Sequence, residues 1–240
     1  MNNIVRADFY RLFKSKFVYY GLTMCGILAI LFNIISMEEK KMGTMPEMGT
    51  TTFIPMCISA VIGLTIMSDF NGGGIKNKII MGNSRQNIYI SWLVSFVIVT
   101  AIYLGVYEIC SLGSAKILGF DMPDIKFSNV MGNFVVLFFL LITNVVFSIM
   151  VCFAIPDGKC LVILLLVQEP PAMISGMLRT IFPDSKILDV ILRFIPQFQS
   201  DTLNITKMPD KPWLTIICTL ALSAALFVCG IRSFNKKDLK

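Results

Sequence analysis

DFNGGGIKNKIIMGNSRQNIYI, Asp69 to Ile90, is a short basic stretch between two long apolar segments. Three consecutive glycines, Gly72, Gly73 and Gly74, make continued helix costly and should end the helix before them. After them Ile75, Ile79 and Ile80 recur at helical spacing, with Lys76, Asn77 and Lys78 between, which predicts a short amphipathic helix. Gly82 and Asn83 can stop it, and the Ser84 hydroxyl can cap the next helix by accepting an orphan backbone N–H. The chain therefore leaves one apolar segment, makes a small charged helix, and enters another.

Composition explains the apolar segments. Of 240 residues, 55% are hydrophobic and 15% charged, against about 25% charged in an ordinary soluble domain. Mean hydropathy is +0.75. A membrane span needs roughly 20 apolar residues, so six spans with their loops fill the chain and leave no room for a soluble catalytic domain. Histidine is absent, which excludes Ser-His and Cys-His catalysis and histidine zinc sites. No catalytic or metal residues are assigned. Cys25, Cys57, Cys110, Cys152, Cys160, Cys218 and Cys229 lie in or beside apolar stretches, so free thiols are expected rather than disulfides.

The expected fold is all-α: one polytopic membrane domain, 1–240. Residues 1–16 form an amphipathic helix with Val5, Phe9, Leu12 and Phe13 on one face and Arg6, Arg11, Lys14 and Lys16 around it, lying in the membrane interface. No small-residue cleavage site follows it, so a retained segment is expected rather than a signal peptide. Spans are predicted at 17–36, 51–68, 88–112, 129–155, 160–178 and 212–231, with the basic loop at 70–87 and an outer loop at 179–211. In that loop Lys186, Asp189 and Arg193 share one helical face. With both termini inside, the inner segments hold twelve basic and four acidic residues and the outer ones nine of each. The positive-inside rule thus sets termini-in, and basic clusters at span ends speak for a bilayer rather than nucleic acid as partner.

Two motifs resemble a known family. G-I-K-N-K-I-I-x-G-x-S-R-x-x-I-Y, Gly74 to Tyr89, looks like the first cytoplasmic loop of small ABC-2-type exporter permeases. R-S-F-N-K-K-D-L, Arg232 to Leu239, is similar to that family's C-terminus. Asp69 stands where the family has an acidic residue before the glycine; the family's lysine near Trp92 has no counterpart. The resemblance implies a six-span permease in a bacterial plasma membrane, paired with a second permease, identical or paralogous. Two copies of a separate ATPase subunit would bind beneath and hold ATP and Mg. The loop would be the coupling helix that docks on the ATPase. Similarity to bacteriocin-immunity and antimicrobial-peptide efflux permeases implies an amphipathic peptide or lipid-like substrate.

The coupling residues expected on this basis are Gly72, Gly73, Gly74, Ile75, Lys76, Asn77, Lys78, Ile79, Ile80, Gly82, Ser84 and Arg85. Ile75, Ile79 and Ile80 would bury against the partner, with Lys76, Lys78 and Arg85 pairing at the rim. Alternatively the loop is only an orientation signal. It is not a P-loop, because Gly72–Lys78 lacks the second glycine and the hydroxyl residue, so no cofactor is expected on this chain. Glu169 falls mid-span, where a carboxylate is costly. With Pro170 and Pro171 it marks either a translocation path or an early helix end. Glu108, nearer a span end, is the second path candidate, with an interfacial position as the alternative. Two rival functions remain: an intramembrane enzyme built on a carboxylate pair or a Ser-Lys dyad, and a non-transporting scaffold or sensor that uses the basic loop to bind a cytoplasmic partner.

Overall fold

The computed structural model describes residues 2–35, 53–119, 127–155, 157–166, 181 and 212–236. No strand occurs among them. In chain order the helices are α1 (Asn2–Lys14), α2 (Lys16–Ile35), α3 (Ile54–Asn71), α4 (Gly74–Ile80), α5 (Arg85–Ile117), α6 (Phe127–Ala154) and α8 (Pro212–Lys236), with α7 covering 159–166. Five are long and apolar enough to cross a membrane: α2, α3, α5, the Phe134–Ala154 part of α6, and α8. The described residues are all-helical, and the five apolar helices make the protein membrane-embedded. Of the expected span at 160–178 only the start is described, as α7. The outer-loop residues Lys186, Asp189 and Arg193 lie outside the described residues.

Helix ends depart from the hydropathy boundaries for local reasons. α3 continues past Ser68 to Asn71, so Asp69 is inside the helix. α5 runs 33 residues rather than stopping at Leu112. One exposed glycine, Gly113, costs only about 1 kcal/mol in a helix, too little to end it. At about 1.5 Å per residue α5 is roughly 50 Å long, well beyond a hydrocarbon core of about 30 Å. α8 continues through Arg232 to Lys236.

α1 packs against the bundle. Only Ser15 separates it from α2. Contacts along α3 descend in register through both helices: Arg11 meets Asp69, and Gly21 lies against Val61. α1 therefore prolongs α2 along α3 and α5. Its buried stripe is Asp8 and Leu12, while Val5, Phe9 and Phe13 are half-buried. A buried carboxylate needs partners, and those partners sit on α4 and α5, which draws α1 onto the bundle.

Among the described helices α6 is central, with α3, α5 and α8 around it. Helices in lipid associate through close packing and side-chain hydrogen bonds worth about 0.6 kcal/mol each. Ser59 and Ser148 hydroxyls meet at 2.8 Å, and Asn144 Nδ2 donates to the Pro55 carbonyl at 3.1 Å, tying α3 to α6. Thr143 and Ser223 hydroxyls meet at 2.8 Å, tying α6 to α8. On α2, the small residues Gly21, Cys25 and Ala29 are buried. A Cβ at Gly21 would lie 2.5 Å from Tyr103 Oη and 2.7 Å from Val61 Cγ2, so the approach of α2 to α3 and α5 depends on that glycine. All seven cysteines are free.

An aromatic cluster closes the end of the bundle that carries α4. Phe153 centres it, with Phe234 at 4.6 Å, Tyr89 at 5.3 Å and Phe70 at 5.6 Å between ring centroids. Gly230 lies against the Tyr89 ring, so a Cβ there would strike the phenol. The buried Tyr89 hydroxyl has no hydrogen-bond partner among the described residues. Overpacking of this kind typically costs about 1–3 kcal/mol. We expect Gly230→Ala to lower the unfolding midpoint in detergent and Tyr89→Phe, which removes an unpaired buried hydroxyl, to be neutral or stabilising. The double variant should recover part of the loss. Strictly additive midpoint shifts would contradict the contact.

Candidate functional site at the loop end

α4 has seven residues, far below the roughly 12–15 at which an isolated helix becomes even marginal. It persists through its neighbours. Gly73 adopts φ 69°, the left-handed conformation that glycine accepts without strain, and Gly82 closes the other end at φ 85°. Gly74 serves differently: a Cβ there would sit 3.0 Å from Asp69 Oδ1 and 3.1 Å from Arg11 Nη1. Its bare backbone admits an ion pair close to the helix start. Ser84 caps α5, its hydroxyl accepting the Asn87 N–H at 3.2 Å.

Two buried carboxylates organise the surroundings. Asp8 of α1 accepts from Lys78 Nζ at 2.5 Å and from the Ser91 hydroxyl at 2.6 Å. Asp69 of α3 pairs with Arg11 and lies 3.6 Å from Lys78 Nζ. The Trp92 ring faces both cations, 4.8 Å from Lys78 Nζ and 5.3 Å from the Arg11 guanidinium carbon. Four helices thus meet at a balanced cluster of two carboxylates and two cations. Such a cluster holds only when paired; removing one partner of a buried pair typically costs about 3–5 kcal/mol.

This geometry revises the roles expected around the loop. Ile75 is fully buried in the core, and Ile79 is half-buried against it. Lys78, expected at a partner's rim, points into the bundle with its side chain 15% exposed. Ile80 is 81% exposed and does not share the face of Ile75. At about 100° per residue it stands roughly 140° round the helix, which the apparent spacing concealed. The face open to a partner is Lys76, Asn77, Ile80 and the following Met81. Arg85 turns the other way. Its Nη1 donates to the carbonyls of Phe234 at 2.9 Å and Asn235 at 3.0 Å, near the end of α8. The loop and the C-terminal segment, distant in sequence, are thereby in direct contact.

Glu108 lies half-buried on α5, and Glu169, Pro170 and Pro171 are outside the described residues. Reading the sequence alone missed Asp8, Ser91 and Trp92. Asp8 did carry a signal: it falls four residues before Leu12, in line with the apolar side of an otherwise basic helix. Among the described residues no group of three or more His, Cys, Asp or Glu is placed to hold a metal. Neither models of known protein families nor curated protein sequences give a match to this chain.

The cluster predicts a contrast between stranding Lys78, by removing its partner, and removing Lys76 two residues away. Asp8→Ala strands Lys78 and should destabilise the protein by about 3–5 kcal/mol. Lys76→Ala, on the exposed face, should stay within about 0.5 kcal/mol. Chemical unfolding in detergent followed by tryptophan fluorescence measures both. Equal midpoints for the two variants would contradict the assignment.

Proposed function

We propose that the chain is the membrane subunit of an ATP-driven exporter of the ABC-2 type, with ATP and Mg bound by a separate subunit. The observation that carries this reading is α4: a short helix between two spans, fixed on one face by Ile75 and the Asp8–Lys78 pair and presenting Ile80 and Met81 to a partner on the other. A helix that transmits a stroke must be stiff toward the protein it moves and accessible to the protein that moves it. The family resemblance of Gly74–Tyr89 and Arg232–Leu239 supports the same reading. Two such chains would enclose a path for an amphipathic peptide or lipid-like substrate. ATP-driven closure of the partner pair would shift access between the two sides by rigid-body motion.

In this reading six spans cross a bacterial plasma membrane with both termini in the cytoplasm. The basic excess of the loop-end segments supports that orientation. A sixth crossing is supported by the direction of α6 and α8. From the Thr143–Ser223 contact to the Phe153–Phe234 contact both helices advance by a similar length toward the loop end. They are parallel, so the chain between them starts at one end of the bundle and finishes at the other. In a cysteine-free background, single cysteines at Ser84 and Asn204 should be labelled by an impermeant reagent from opposite sides. Labelling from one side would refute the topology.

Docking is tested by co-purification of a co-expressed stand-alone ATPase. A buried apolar anchor in an interface is worth about 2 kcal/mol or more, on the order of thirtyfold in affinity. Ile80→Asp should cause a loss of that size with membrane abundance unchanged. Ile79→Asp should instead reduce abundance, because Ile79 packs on the core. Full ATPase retention by Ile80→Asp would reduce the loop to an orientation signal.

A further inference from the structure

A cleft of about 260 Å³ opens where α1 passes into α2, against the last turns of α3. Arg11, Lys14, Ser15, Phe17, Thr65, Ser68 and the carboxylate of Asp69 line it. Its depth is set by the chain itself: α1 is the basic helix, α2 begins the first span at Lys16, and the cleft sits at their junction. With the first span beginning at Lys16, the bilayer dimensions put that junction at the headgroup level of the leaflet on the loop side. The charge there is positive in surplus. Asp69 is already matched by Arg11 and Lys78, whereas Lys14 is exposed and pairs with no carboxylate among the described residues. A guanidinium carries five donors, more than the single contact Arg11 makes to Asp69 consumes. Serine hydroxyls at 15 and 68 add short polar groups.

The cleft also has an apolar exit. From Phe17 an exposed stripe continues along α2 through Tyr20, Met24, Ile27 and Leu31, spaced three and four residues apart on one helical face. A small anion from solution would use only the polar mouth. A molecule with a phosphate and a long chain would use both parts.

We propose that this cleft binds an anionic phospholipid, Arg11 and Lys14 meeting its phosphate and the Phe17–Leu31 stripe receiving an acyl chain. The site is independent of whether the protein transports anything. Arg11 belongs to both the cleft and the charge cluster, so an occupied site also bears on how Asp69 divides its contacts between Arg11 and Lys78.

The test uses the full chain in nanodiscs of phosphatidylcholine containing a minor fraction of phosphatidylglycerol, with retained lipids identified by native mass spectrometry after transfer to detergent. The wild type should retain phosphatidylglycerol in preference to phosphatidylcholine. Lys14→Ala should reduce that preference about fivefold, equivalent to roughly 1 kcal/mol for one basic side chain at an anionic surface. Lys14 is exposed, so the variant should keep the wild-type unfolding midpoint. Lys236→Ala, which removes an exposed charge at the same end of the bundle away from the cleft, should leave the preference unchanged. An equal loss in Lys236→Ala, or no preference in the wild type, would overturn the site. Displacement of the lipid by inorganic phosphate would overturn the lipid assignment in favour of a soluble anion.

Discussion

Two carboxylates, Asp8 and Asp69, are buried at the loop end of this bundle, and each is matched there by a cation. That pairing links four helices, α1, α3, α4 and α5. Asp8 recruits Lys78 from α4 and Ser91 from α5; Asp69 recruits Arg11 from α1. Pairing brings the N-terminal helix against α3 and α5, and holds a seven-residue helix that has no stability of its own. The desolvation cost makes the arrangement specific: a bundle with α1 rotated or α4 undocked would strand a charge worth several kcal/mol. Trp92 covers both cations with one ring, using cation–π attraction that strengthens as water is excluded.

Beyond this cluster the bundle is held by ordinary membrane physics. Burial of apolar surface gives little net attraction between helices already in lipid, so close contact and scattered hydroxyls do the joining. Ser59, Thr143, Asn144, Ser148 and Ser223 form that joinery between α3, α6 and α8. The aromatic group around Phe153 closes the loop end, and Arg85 fastens the end of α8 beside it through backbone carbonyls that a helix terminus leaves unsatisfied. The loop end thus joins several helices by charge pairs, rings and carbonyl contacts, and it is also where α4, a short helix between two spans, is displayed.

The all-helical membrane class and the punctuation around α4 were legible in the sequence, because both depend on local chemistry. Glycines at 73 and 82 take positive φ, and Ser84 caps, as turn and capping rules require. What was not legible depends on residues far apart in the chain. Nothing near Lys78 says that it faces inward; the reason is Asp8, seventy positions earlier. Ile75 and Ile80 are equally apolar, and only the packing of α4 against the core decides which one is buried. The basic α1 reads as a surface helix until Asp8, in line with Leu12, is given a partner. Arg85 looks like one more loop cation until α8 is seen to continue far enough to meet it. In each case a side chain was read by its neighbours in sequence, whereas its position is set by a counter-charge, a carbonyl or an apolar surface on another helix.

The length of α5 has a mechanical side. Near its start it carries Ser91 and Trp92 in the charge cluster. Some twenty residues later the Ser111 carbonyl and the Ser114 hydroxyl accept from Asn33 near the opposite end of α2. The helix is unbroken from Arg85 to Ile117, across Gly105 and Gly113 and without a proline, and forms one rod of roughly 50 Å. Tilting such a rod by about 10° about one end displaces the other by close to 9 Å, given that length. Any push delivered through α4 and Lys78 to the foot of this rod arrives at the far side of the bundle amplified into a movement wider than a water molecule.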